Sequence, residues 1–195
     1  MKKKIIILVI GVLLISLFSV RVYAINKYLD IPKTVEYEKG EVVPYGKDGT
    51  PIDGDVKDGY TVKVLESEIV SKQDLIKKYK IEEEGIENIL GEYFYNVRII
   101  FKNESNKEGQ ENGIGLLQLN LTGINYYAMM DSLVFEFMNP DMPGDSFSIK
   151  EGEEVEVVVP FGIIPSSHDT YEGLLKNPPK LQITGYPNRK LISVN

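Results

Sequence analysis

The stretch EYFYNVRIIFKNESNKEG, residues 92–109, decides how the rest of the chain is read. Tyr93, Tyr95, Val97, Ile99 and Phe101 fall on one face, and Asn96, Arg98 and Lys102 fall on the other. That two-residue period belongs to a half-buried β-strand. The polar run that follows, NESNKEGQENG, ends it.

Working outward, the same period recurs on both sides. GYTVKVLESEIV (59–70) begins with Tyr60, Val62 and Val64 inward and then slips phase to Leu65 and Ile69. A slip of one residue predicts a β-bulge or a strand that changes sheets. TVEYEKGEVV (34–43) alternates as well, and PYGKDGTPIDGDVKDG (44–59) after it reads as a loop rich in Gly, Pro and Asp. LLQLNL (116–121) places Leu117, Leu119 and Leu121 inward, and EEVEVVVPF (153–161) places Val155, Val157, Val159 and Phe161 on one face. KLQIT, a turn at GYPN, and KLISV close the chain.

Between the second and third strands, SKQDLIKKYKIEEEGIENILG (71–91) switches to a helical period. Ser71 and Asp74 have the spacing of a capping box, so one or two short helices are expected, roughly over 72–80 and 82–90, ending at Gly91. NYYAMMDSLVFEFMNP (125–140) supports two readings: Asp131 can cap a short helix, while Leu133, Phe135 and Phe137 also alternate as in a strand. Seven to nine short strands with turns between them and one helical insertion predict an all-β, antiparallel β-sandwich.

The amino terminus is of a different kind. Three lysines precede sixteen apolar or small residues, Ile5 to Val20, followed by Arg21. Sixteen helical residues cover about 24 Å, and extension to Ile25 gives about 31 Å, enough to cross a bilayer with Arg21 reaching the headgroups. Val22 and Ala24 also satisfy the small-residue rule for signal-peptide cleavage after Ala24. Either reading leaves Lys2–Lys4 inside and the remainder outside the membrane. The expected organisation is a signal-anchor or signal peptide at 1–25, a stalk with first strand and loop at 26–57, and the sandwich at 58–195.

Charge and composition narrow the function. Lys2, Lys3, Lys4 and Arg21 account for four of 22 Lys and Arg, so the part after residue 24 holds 18 positive against 29 negative side chains, a net of −11. Such a body repels phosphates, which argues against nucleic-acid binding. With no cysteine there are no disulfides, thiolate zinc sites or Cys nucleophiles. No cofactor is expected.

Four constellations invite chemistry. Asp53, Asp55 and Asp58 offer carboxylates to Ca²⁺, but Lys57 and Asp58 stand where an EF-hand loop needs an oxygen ligand and a glycine; a solvated Asp–Gly turn explains the stretch. His168 lies beside Ser166, Ser167 and Asp169, whereas triad members converge from separate loops. Carboxylate pairs in EEEGIE and EGEEVE would serve a glycosidase only within a sugar cleft, whose usual Trp platforms are missing. The fourth is Tyr126, Tyr127, Met129 and Met130, core residues or, if exposed, an adaptable partner-binding patch.

The order of DGYTVKVLESEIV, YNVRIIFKNESNKEG, SFSIKEGEEVEVVVPFGI and LQIT resembles the telokin-like, immunoglobulin-fold domains of exported Gram-positive bacterial proteins. Asn103–Ser105 and Glu151–Gly152–Glu153 carry the resemblance. EYEKGEVV, DGYTVKV, SKQDLIKKY and FMNPDM further resemble an uncharacterised family of short membrane-anchored proteins, over about residues 33–195. The resemblance implies an immunoglobulin-like fold and brings no catalytic residues. The expected function is a membrane-tethered, extracytoplasmic binding module without enzymatic activity, acting on a protein or cell-envelope partner. A Ca²⁺-stabilised adhesion domain and a carboxylate-dependent envelope hydrolase are the alternatives.

Overall fold

The computed structural model describes residues 2–29, 33–47, 57–81, 89, 91–107, 113–124, 127–164, 171–185 and 187–195. The chain divides into two units, Met1–Ile31 and Pro32–Asn195. The first is helix α1, Lys2–Asn26, 25 residues with none buried. It is long and apolar enough to cross a membrane or to serve as a signal peptide.

The second unit is a β-sandwich. Its strands are β1 (Lys33–Tyr37), β2 (Val43–Pro44), β3 (Tyr60–Ser71), β4 (Tyr93–Asn103), β5 (Ile114–Gly115), β6 (Asn120–Thr122), β7 (Tyr127–Met129), β8 (Ser146–Phe147), β9 (Glu154–Ile163), β10 (Lys180–Thr184) and β11 (Asn188–Ser193). Helices α2 (Lys72–Tyr79), α3 (Ser132–Met138) and α4 (Tyr171–Lys176) interrupt them. One sheet runs β1-β11-β10-β6-β7, the other β2-β3-β4-β9, and β5 pairs with β8 alone. All pairs are antiparallel except β1 with β11, which run parallel from Lys33↔Asn188 to Tyr37↔Ile192. The compact unit therefore starts ahead of residue 58, because β1 and β2 each complete a sheet.

Strand β4 sits between β3 and β9 and carries the inward row Tyr95, Val97, Ile99 and Phe101, all 3% exposed or less. These pack with Val157, Val159 and Phe161 of β9 and with Leu121, Leu181 and Ile192 of the facing sheet. Phe101 meets Phe147 edge-on, ring centres 6.1 Å apart. The phase slip in β3 is a register shift between Val64 and Glu66, which returns Ser67 and Ile69 to the inward side opposite Val97 and Tyr95.

Part of the outer face of the second sheet is buried too. Phe94 and Val158 point away from the main core into a second cluster with Leu75 of α2, Val134 and Met138 of α3, and Ile81 and Ile89. Helix α2 begins where Ser71 Oγ accepts from Asp74 N at 3.1 Å, and it ends at Lys80 in the left-handed region. The segment 82–88, where a second helix is expected, lies outside the described residues. Of the two readings of 125–140 the helical one holds: Asp131 caps α3 by accepting from Val134 N at 3.0 Å, and Leu133, Phe135 and Phe137 lie in that helix rather than in a strand. The strand here is the preceding β7. Leu117, expected inward, sits in a 3₁₀ turn and is exposed, while Leu116, Leu119 and Leu121 are buried.

Asn103 and the Glu151–Gly152–Glu153 turn, far apart in sequence, form one corner. Asn103 N donates to Glu153 O and Gly152 N donates to Asn103 O. The buried Asn103 amide donates to Asn106 O and Ile149 O, both at 2.8 Å, and accepts from Asn106 N. Asn106 in turn donates to Asp58 O, and Gly59, at φ +88°, leaves no room for a Cβ beside Asn106 N. These motifs thus hold strand ends together.

Candidate functional site

Two places on the sandwich surface combine exposure with recognisable chemistry. The first is β7 and the turn before it. Its alternation sends Ala128 and Met130 inward, and Tyr127 and Met129 outward at 57% and 59% exposure. Ile124, in the turn, is also exposed. Met130, 7% exposed, belongs to the main core and bridges to Phe161 of β9, so it is not a surface residue. Tyr126 lies outside the described residues. Of the four residues singled out in sequence, the structure therefore places two on the surface together.

The second place is a polar cleft of about 170 Å³ beside α2, on the outer side of the β3–β4–β9 sheet. It is lined by Glu66, Glu68, Lys78, Tyr79, Asn96 and Arg98, among others. Strand register builds it: Glu66 pairs with Arg98 and Glu68 with Asn96, so their side chains lie side by side on one face. Across β4, Pro160 of β9 stands opposite Asn96 and Val158 opposite Arg98. Helix α2 contributes Lys78 and Tyr79 from its last turn.

The charges are arranged in pairs. Arg98 donates from Nε to Glu66 and from Nη1 to Glu156, both at 2.7 Å. Its pKa is raised, by the hydrogen bond to Glu156 first and that to Glu66 second. Lys78 Nζ lies 3.1 Å from Glu68 Oε1 and 5.4 Å from the centre of the Tyr79 ring. Its pKa is also raised, mainly by the hydrogen bond to Glu68. The same Glu68 oxygen accepts from Asn96 Nδ2 at 3.4 Å. Asn96 is only 1% exposed, and its Oδ1 has no hydrogen-bond partner. Each element of this cleft looks like a solvated surface strand or helix in sequence; only the register and the position of α2 bring them together.

Asp58 is exposed, and its carbonyl is engaged by Asn106. Asp53, Asp55 and His168 lie outside the described residues. Among the described residues, no three His, Cys, Asp or Glu gather as a metal site. Both cleft carboxylates face cations, an arrangement that suits binding a polar group.

The family described as "Domain of unknown function (DUF5028)" matches residues 34–190. The chain belongs to this family. The DUF5028 match opens in β1 and closes in β11, two strands that lie side by side with Thr34 opposite Arg189, so it takes in both sheets and leaves out α1. A crystal structure described as an uncharacterized beta-sandwich protein from Clostridium difficile 630 is similar to the chain at 13% identity and a TM-score of 0.45. That likeness covers 84% of this chain and 96% of the other. No curated protein matches the sequence.

Proposed function

We propose that this DUF5028 protein is an extracytoplasmic binding module, held to a membrane by α1 and without enzymatic activity, whose partner is a protein or another cell-envelope component. The observation that carries the reading is the outward pair Tyr127 and Met129 on β7, with Ile124 in the adjoining turn. Large apolar side chains grouped on an otherwise polar, acidic surface are characteristic of docking surfaces, and Tyr and Met are favoured there. Retention of α1 as an anchor is supported by its 25-residue length, roughly 37 Å of helix. Lys2–Lys4 ahead of the apolar run support an inside amino terminus and an outside body. The resemblance to telokin-like exported domains agrees with that orientation.

The absence of cysteine makes the topology simple to test. Single-cysteine variants Lys3→Cys and Glu136→Cys are treated, in intact cells, with a membrane-impermeant maleimide. The reading expects labelling only at 136 and recovery of the full-length chain in the membrane fraction. Labelling at position 3 alone would reverse the topology, and a shortened chain in the medium would establish cleavage after Ala24. A photo-crosslinking residue at Met129 is expected to give a discrete adduct that one at Lys150, on the far turn, does not. Equal adducts from both positions would remove β7 as the docking surface.

A further inference from the structure

The polar cleft contains a group whose chemistry is unfinished. Asn96 Oδ1 is a strong acceptor in a side chain 1% exposed, and nothing donates to it. Buried acceptors are almost always satisfied, because an unmet one forfeits its hydration without return. Its strand neighbours offer no remedy: Glu68 on one side carries only acceptors when ionised, and Pro160 on the other has no N–H. The missing group must therefore be a donor.

The cleft already shows which donor it accommodates. Lys78 presents its ammonium to Glu68 at 3.1 Å and to the face of Tyr79 at 5.4 Å. The pair is half exposed, with 54% of the Lys78 side chain and 50% of the Glu68 side chain accessible, so it can open at little cost. The lining carboxylates Glu66 and Glu68 are matched by Lys78 and Arg98, but Arg98 is shared with Glu156 outside the cleft, and the body carries a net −11. An incoming anion would face that excess; an incoming cation is drawn to it. At about 170 Å³ the cleft is smaller than a pocket for a drug-sized molecule and has room for the end of one side chain.

We propose that this cleft receives the side-chain ammonium of a lysine from a partner polypeptide, with Glu68 and Asn96 Oδ1 as its acceptors and Lys78 as the group it displaces. Lys78 acts as a resident occupant that keeps Glu68 engaged until a partner lysine replaces it. Oδ1 has no contact with solvent in the present arrangement, so a ligand ammonium reaches it only once side chains lining the cleft, Lys78 among them, have moved aside. The proposal rests on the reading of the body as a binding module, and it concerns the sheet opposite to the one that carries β7.

The test uses the full chain, ¹⁵N-asparagine-labelled in detergent micelles, titrated with Nα-acetyl-lysine-N-methylamide and, as control, its uncharged norleucine analogue. The lysine compound should give a saturable shift of the Asn96 side-chain amide resonances, and the norleucine compound none. Lys78→Met removes the resident competitor and should tighten binding about two- to fivefold, the usual scale of an exposed ion pair. Glu68→Gln, an exposed substitution that leaves the core untouched, should weaken binding at least about fivefold. No saturable shift in either wild type or Lys78→Met overturns the proposal, as does equal binding of the norleucine compound. If that happens while Met129 still crosslinks to a partner, the cleft fails and the binding-module reading stands; loss of both overturns the reading as well.

Discussion

Asn139, just after α3, holds that helix to the edge of a sheet. Its Nδ2 donates to Phe135 O and to Val158 O, both at 2.9 Å, and its Oδ1 accepts from Val158 N at 2.9 Å. One side-chain amide thus stands in for a paired strand along β9, the outermost strand of the β2-β3-β4-β9 sheet. Asn139→Ala deletes all three bonds and leaves both polar groups of Val158 without a protein partner. At about 1 kcal/mol net for each bond in this half-buried setting, the loss is about 2–4 kcal/mol. For a chain of this size that lowers the melting temperature by roughly 4–16 °C. Asn139→Asp keeps the acceptor for Val158 N but turns a carboxylate toward two carbonyl oxygens, so it should destabilise at least as much. Thermal unfolding of the detergent-solubilised full chain, followed by circular dichroism, measures both. A shift below about 2 °C for Asn139→Ala, or an Asp variant as stable as wild type, would refute the account of α3 as docked through this amide.

Other outcomes follow from the same structure. Gly59→Ala forces a Cβ to 2.9 Å from Asn106 N at a positive φ, and should cost at least about 1–2 kcal/mol in urea unfolding. Ser71→Ala removes the acceptor for Asp74 N and should cost about 1 kcal/mol, with α2 fraying seen as faster amide exchange at Asp74. Burial raises the pKa of Tyr95, whose hydroxyl donates to Asn195 Oδ1. The folded state therefore holds the phenol proton longer than the unfolded state; that contribution is complete below the ordinary value of 10.0 and is lost as pH climbs above it. Urea midpoints between pH 8 and 11 should fall for wild type, and less steeply for Tyr95→Phe. EDTA should leave the melting temperature unchanged, whereas a rise with Ca²⁺ would favour a cation at Asp53, Asp55 and Asp58.

The main core was legible from period-two runs: Tyr95, Val97, Ile99 and Phe101 are inward as the alternation of β4 requires, and the slip in β3 marks its bulge. Local chemistry announced the starts of α2 and α3, because Ser71 and Asp131 satisfy amide groups within three residues of themselves. What stayed hidden depends on contacts between distant segments. Alternation reveals one buried face, so the face of β4 that carries Asn96 looked solvent-facing, although Phe94 on that face is buried with residues of α2 and α3 and Asn96 is 1% exposed. Met130 looked like a companion of Met129, but the strand pleat turns it into the core. The cleft is assembled from β3, α2 and β4, each contributing residues that taken singly read as ordinary surface charge. Nothing in TVEYEKGEVV indicates that β1 would run parallel to β11, since that depends on the placement of a strand far away in the sequence.

The parallel pairing of β1 with β11 has a mechanical meaning under the proposed tethering. In the proposed arrangement, tension from the anchor would enter the body through β1, and a partner seated on β7 would pull from the opposite margin of the same five-stranded sheet. Load between the two must cross β11, β10 and β6 in turn, borne by rungs of backbone pairing rather than by a single loop. Such a sheet behaves like a strap stretched across its weave: it transmits force without requiring the interior to yield.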